Sequence, residues 1–207
     1  MNYIFDFDGT ISDSLPAFIA TYNKNMRHNK DPLTSEEIQE LRGMGARQVL
    51  KRIGFKWWQV PKLALQARAD LNALLPSNNT FEGLPETIRE LHGRGNRLYI
   101  VTIRSNTLNG VENYLKKYDI DSYFTEIDTN AGIFGKAKHI RKLMKKYGMK
   151  RRDTVYIGDE TRDIQAARLS GLRIVSVSWG FNTRELLKRR KPNFLIDDPK
   201  QLLKIEL

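Results

Sequence analysis

Two hydrophobic rhythms take turns along this chain. One is the short, unbroken apolar run of a buried strand. The other is the three- and four-residue recurrence of a helix with one buried face. The first run, Tyr3, Ile4, Phe5 and Phe7, is broken by Gly9. After a long helical stretch, runs return at Arg97 to Thr102, in shorter form at Tyr123 to Ile127, at Thr154 to Ile157, at Arg173 to Val177, and at Phe194 to Ile196 as an edge strand. Helical spacing separates them: Pro85 to Gly93, Thr107 to Lys117, Lys136 to Tyr147 stopped by Gly148, Arg162 to Ser170 closed by Gly171, and Thr183 to Arg190. This alternation predicts a parallel sheet with helices on both faces, and the first run belongs to it.

The stretch between Ser12 and Ser77 shows no strand pattern. Leu15, Phe18, Ile19 and Tyr22 recur at helical spacing. Thr34 or Ser35 can cap a second helix, with Glu37 near its third position. A third follows Gly43 and Gly45, and a fourth runs from Leu63 to Leu74 before Pro76. Trp57 and Trp58 are expected to pack inside this unit or against the sheet. The turn-rich segment from Ser77 to Pro85 leads back to the alternating pattern. The chain therefore divides into a core, 1–12 with 81–207, and a helical insertion at 13–80. Hinges are expected at Gly9 to Asp13 and Ser77 to Gly83.

Composition narrows the function. The 207 residues suit one sizeable domain, or one domain with an insertion. Without Cys, disulfides and thiolate-bound zinc are excluded. A cytoplasmic location is expected, since no secretory signal or membrane span is read. His28, His92 and His139 lack metal-ligand spacing. The net charge of +11 fits attraction of phosphorylated substrates, a generally charged surface, or nucleic acid. No RNA-binding motif or zinc-finger spacing supports the last. The basic residues from Lys136 to Arg152 read first as the solvated face of an amphipathic helix.

Acidic residues then change the picture. Asp6 and Asp8 end the first apolar run, and two residues apart in a strand they share a side. A second run, Val155 to Ile157, ends in Gly158, Asp159 and Glu160, with Asp163 four residues after Asp159 at a helix start. Strand C-terminal ends are where open α/β sheets bind ligands. If the two strands are neighbours, Asp6, Asp8, Asp159 and Asp163 converge. Two bare carboxylates about 4 Å apart repel by roughly 4 kcal/mol at an effective dielectric near 20. A cation is then required, and an all-oxygen donor set suits Mg²⁺, commonly shared with a substrate phosphate. An EF-hand loop counted from Asp6 fails, with Ile11 at its sixth place and Ala17 at its twelfth. Thr102 ends a strand, where its hydroxyl can meet a phosphate oxygen. Lys136 opens a predicted helix, against the helix dipole. A P-loop around Gly135 and Lys136 fails at Asn130 and Ala137.

In this order, Asp6-Phe-Asp-Gly-Thr10, a Thr after an apolar strand, Lys136, and Gly158-Asp-Glu-Thr-Arg-Asp163 resemble the four motifs of the haloacid dehalogenase superfamily. The match is strongest to its phosphoglycolate phosphatase-like branch and covers nearly the whole chain. The insertion resembles that superfamily's C1 cap, and Phe81 to Pro85 the return into the core. The run Thr102-Ile-Arg-Ser-Asn106 departs from the usual second motif, so Ser105 stands as a substitute for Thr102.

The resemblance implies an α/β fold, a Rossmann-like parallel-sheet core with a small all-helical cap inserted after the first strand. It implies a Mg²⁺-dependent phosphomonoesterase acting on a small phosphorylated metabolite. Asp6 would be the nucleophile that becomes an aspartyl-phosphate, and Asp8 the general acid and then base. The metal would be held by Asp6, the carbonyl of Asp8, and Asp159, with Asp163 and Glu160 supporting. Lys136 and Thr102 would position the phosphoryl oxygens, beside Gly9 and Thr10. In the cap, Arg42 or Arg47 could grip a substrate anion. A phosphomutase of the β-phosphoglucomutase kind shares every catalytic residue, including Asp8. A nucleic-acid-binding protein with vestigial acids is a third reading. Monomer and homodimer are both open.

Overall fold

The computed structural model describes residues 1–25, 31–54, 56–104, 109–129 and 131–207. Ser105 lies outside the described residues.

The strands are β1 (Asn2–Phe5), β2 (Ser12–Asp13), β3 (Asn79–Thr80), β4 (Arg97–Val101), β5 (Phe124–Asp128), β6 (Thr154–Gly158), β7 (Arg173–Val177) and β8 (Phe194–Ile196). The α-helices are α1 (Leu15–Asn25), α2 (Ser35–Arg42), α3 (Ala46–Arg52), α4 (Val60–Leu74), α5 (Leu84–Gly93), α6 (Gly110–Lys117), α7 (Gly132–Lys146), α8 (Thr161–Ser170) and α9 (Arg184–Arg189). Among the described residues six strands form one parallel sheet in the order β5-β4-β1-β6-β7-β8. β1 lies between β4 and β6, where the strand order reverses, so its C-terminal end opens on the crevice that binds ligands in such sheets.

Side-chain alternation explains the two cores. Tyr3, Phe5, Leu98, Ile100, Val155, Ile157, Val175 and Val177 face one side and meet Leu84, Ile88 and Leu91 of α5 and Val111, Tyr114 and Leu115 of α6. Ile4, Tyr99, Val101, Tyr156 and Ile174 face the other and meet Ile140, Leu143 and Met144 of α7, Ile164 and Ala167 of α8, and Leu187 of α9. The central strands are buried on both faces, which is why their sequences read as continuous apolar runs.

Three expectations shift. The weak run near Tyr123 is a full five-residue strand, β5, paired in parallel with β4. α7 begins at Gly132, so Lys136 sits a turn inside the helix instead of opening it. Gly132 and Gly135 are poor helix formers, but tertiary packing overrides that preference. Trp58 is 59% exposed, with the Lys56 Nζ 5.1 Å from its ring centroid, so it does not pack inside the insertion. The side chain of Trp57 lies outside the described residues.

The insertion from α1 to α4 leaves and re-enters the core through an antiparallel ribbon, Ser12 opposite Thr80 and Asp13 opposite Asn79. Thr80 Oγ1 donates to the Ile11 carbonyl at 2.9 Å, and Asn78 Nδ2 to Ser12 Oγ at 3.2 Å. α1 packs on α4, with Lys24 and Asn25 both bound to Asp70. Thr34 caps α2 in a reciprocal box with Glu37, as its sequence predicts. Among the described residues no helix is long and apolar enough to cross a membrane.

Candidate active site

β1 stops at Phe5, and the chain folds tightly around the Phe7 carbonyl, which accepts from the amides of Ile11 and Ser12 at 2.8 and 2.9 Å. Gly9 sits at φ +76°, where a β-carbon would lie 2.2 Å from Asp159 Oδ2. Asp6 and Asp159 are therefore brought together by the turn after β1 and the end of its neighbour β6.

Asp6 is 2% exposed. Its Oδ1 accepts from the Phe7 amide at 2.8 Å and its Oδ2 from Lys136 Nζ at 2.7 Å. The same ammonium reaches Asp163 Oδ1 at 2.7 Å. Asp163 Oδ2 in turn accepts the Glu160 amide at 2.9 Å at the start of α8. One carboxylate thus caps a helix and anchors the lysine. Gly158 makes this fit possible, because a β-carbon there would come within 2.6 Å of Asp163 Cβ.

Asp159 is fully buried, and its hydrogen-bond donors are neutral: Thr10 Oγ1 at 2.9 Å and the Phe181 amide at 2.7 Å. Oxygens of Asp6, Asp159 and Asp163 lie within 4.8 Å of one another. Burial raises the Asp6 pKa to about 7 against the opposing pull of Lys136, with Asp163 adding to the rise. Burial also raises Asp159 well above the usual carboxylate range, followed by repulsion from Glu160, Asp163 and Asp6. Lys136 stands above its ordinary value: burial opposes its charge, but Asp163 and Asp6 outweigh that. Four acids, Asp6, Asp159, Glu160 and Asp163, face two bases, Lys136 and Arg162, and Arg162 is paired with Glu160. The cluster lacks positive charge, and a divalent cation with oxygen ligands fits that deficit.

Asp8 does not join the acidic group through its carboxylate. Arg104 Nε donates to its Oδ1 and Oδ2 at 3.1 and 3.0 Å, and a terminal nitrogen of the guanidinium donates to Oδ1 at 2.7 Å. The strand ends before Asp8, so the parity argument that put both acids on one side does not extend to it. Thr102 is fully buried at the end of β4, and its Oγ1 accepts the Arg104 amide at 3.1 Å.

The insertion closes over these groups. Arg42 donates to the carbonyls of Phe181 and Gly180 at 3.2 and 2.9 Å, so its guanidinium holds the loop after β7. Asn182 returns two bonds to the carbonyls of Arg42 and Met44. Phe18 of α1 meets Phe181 edge-on at 5.0 Å between centroids. Arg47 is exposed on α3. Sequence reasoning missed Gly180 and Phe181, which shape and bond Asp159. It also missed Arg104 and Arg162. The signal for Gly180 was a third apolar strand followed by a turn with Gly, the grammar of the other two site segments.

Residues 3–177 match the family model of haloacid dehalogenase-like hydrolases. The chain belongs to that family. A phosphoglycolate phosphatase of Synechococcus elongatus is 33% identical over 97% of this chain and 94% of its own length. A putative pyrophosphatase of Caldanaerobacter subterraneus is 29% identical over 98% of this chain and 92% of its own. Among solved structures, a putative haloacid dehalogenase-like hydrolase from Bacteroides fragilis superposes with a TM-score of 0.79 at 19% identity, covering 97% of this chain and 98% of that one. A predicted phosphoglycolate phosphatase from Haemophilus somnus gives 0.73 at 22%, covering 98% and 96%. The structural likeness carries the fold. The family match and the 33% identical Synechococcus relative make this haloacid dehalogenase-like chain an enzyme of the phosphatase type.

Proposed function

We propose that the protein is a Mg²⁺-dependent phosphomonoesterase that works through an aspartyl-phosphate on Asp6. The observation that carries this reading is the buried group of Asp6, Asp159 and Asp163 around a single lysine, short of positive charge. Asp6 and Asp159, with the Asp8 carbonyl, would hold Mg²⁺, which when bound supplies charge neutralisation for phosphoryl oxygens.

In the first half-reaction an Asp6 oxygen bonds to phosphorus as the ester P–O bond breaks, and Asp8 gives its proton to the leaving oxygen. In the second, Asp8 takes a proton from water, the water oxygen bonds to phosphorus, and the Asp6–phosphorus bond breaks. Lys136 and the Thr102 hydroxyl steady the transferring oxygens. Asp163 keeps Lys136 aimed at Asp6. The helices at 13–80 serve as a cap that keeps water out until Asp6 carries the phosphoryl group, hinged at the β2–β3 ribbon.

The substrate is a small phosphorylated metabolite. Phosphoglycolate comes first for testing, on the name of the Synechococcus relative. Phosphate release from p-nitrophenyl phosphate and phosphoglycolate should require Mg²⁺, stop with EDTA, and vanish in Asp6→Asn. Turnover that survives EDTA, or an active Asp6→Asn protein, refutes the mechanism.

A further inference from the structure

Arg104 is as buried as the acid it holds, at 7% exposure for each residue. Its guanidinium faces two ways. One side grips Asp8 through three contacts of 2.7 to 3.1 Å. The other donates to the Leu71 carbonyl at 3.1 Å and to Asn72 Oδ1 at 3.4 Å, both in the last turns of α4. Its own backbone amide is tied to Thr102 Oγ1. Arg104 is thus bonded at once to the helical insertion, the end of β4 and the carboxylate beside the nucleophile.

We propose that Arg104 is a positioning residue that transmits the position of the cap to Asp8. This rests on the reading of Asp8 as general acid and base. With α4 docked, its carbonyl fixes the guanidinium, and the guanidinium fixes the carboxylate. Asp8 Oδ1 takes two of the three contacts, including the shortest, and Oδ2 takes one. Oδ1 is the anchored oxygen. Oδ2 is the one that turns to the leaving group, carrying the proton that passes to the ester oxygen as the P–O bond breaks. When α4 lifts, Arg104 loses its cap acceptors and Asp8 its fixed place, so proton transfer is confined to the closed enzyme. A planar fork bridging two acceptors does this; an ammonium has one point of charge and cannot span both.

The test compares leaving groups in the full-length, Mg²⁺-loaded protein. A phenolate such as 2,4-dinitrophenolate leaves without a proton, whereas an alkoxide needs one. kcat/KM reports phosphoryl transfer to Asp6 and is blind to the later hydrolysis. Arg104→Gln should lower kcat/KM for a simple alkyl phosphate about 10- to 100-fold, within the span of general acid catalysis, and for 2,4-dinitrophenyl phosphate less than about threefold. Arg104→Lys, which keeps the charge, should show the same split to a smaller degree and serves if the Gln variant does not fold. Equal losses on both substrates, or no loss, overturn the proposal.

Asp8→Asn in the same assay separates the two readings. If it shows the split and both Arg104 variants do not, only the role of Arg104 fails. If it shows none, the role of Asp8 fails and takes this inference with it. Hydrogen exchange checks the cap link: residues 71–75 should lose protection in Arg104→Gln, and unchanged protection there overturns it.

Discussion

A β-carbon added to Gly180 would stand 2.3 Å from Asp159 Oδ2 and 2.3 Å from the Gly9 carbonyl. These are backbone and buried carboxylate atoms, with no flexible side-chain end to give way. Gly180→Ala must therefore displace Asp159 or the turn after β1. We expect activity to fall at least about tenfold and the Mg²⁺ concentration for half-activation to rise, because disturbing the groups that orient a metal ligand typically weakens the site about 10- to 100-fold. A magnesium activation curve unchanged from wild type would show that Asp159 does not serve the metal.

Lys136 is the one cation bonded to both Asp6 and Asp163 among the described residues. Lys136→Met leaves two buried carboxylates without it. Breaking a buried pair from one side costs about 3–5 kcal/mol, so the melting temperature at neutral pH should drop by many degrees. Turnover should fall about 100- to 1,000-fold even when the variant is held folded by saturating Mg²⁺ and low temperature. Near-normal kcat in the folded variant would remove Lys136 from the chemistry.

The raised acids make a pH prediction. Asp6 titrates at about 7 in the fold against an ordinary 3.8. Its contribution to stability is complete below the ordinary value and is lost as pH rises through about 7. Between pH 5 and 8 the metal-free wild type should lose stability relative to Asp6→Asn, which has no such proton to give up. Mg²⁺ needs the ionised carboxylates, so its binding should release protons and weaken as pH falls below 7. Calorimetry in two buffers of different ionisation enthalpy measures the release. Equal heats in both would contradict the raised values.

Arg42 ties α2 to the carbonyls of Gly180 and Phe181. Losing two such bonds to a charged donor is worth about 1.5–3 kcal/mol each at most, and less where water can replace the donor. Arg42→Ala should leave the core's melting transition nearly in place, loosen the insertion to proteolysis, and raise KM more than it lowers kcat. A larger fall in kcat than rise in KM would mean that Arg42 acts on the chemistry itself.

Much of this was readable in advance. The apolar runs placed every strand of the parallel sheet, and Asp6 and Asp159 were visible at two strand ends. The Thr34–Glu37 box and the helical character of the insertion were also legible, being local patterns. What escaped was of two kinds. α7 starts before Lys136 because packing overrode two glycines. Arg104 and Gly180 looked like loop residues because their partners lie far away in sequence, Asp8 being 96 residues from Arg104.

The order of residues alone determined the alternation of strand and helix and the acidic character of two strand ends, because hydrophobic periodicity and strand-breaking glycines act over a few neighbours. Only the tertiary structure decided which acid meets which base. Asp6 and Asp163 share Lys136 because β1 lies beside β6 and α7 packs on α8. Asp8 turns to Arg104 because the chain leaves the sheet after Phe5. Buried charges must find a partner across the fold, and strand order sets which partner is within reach.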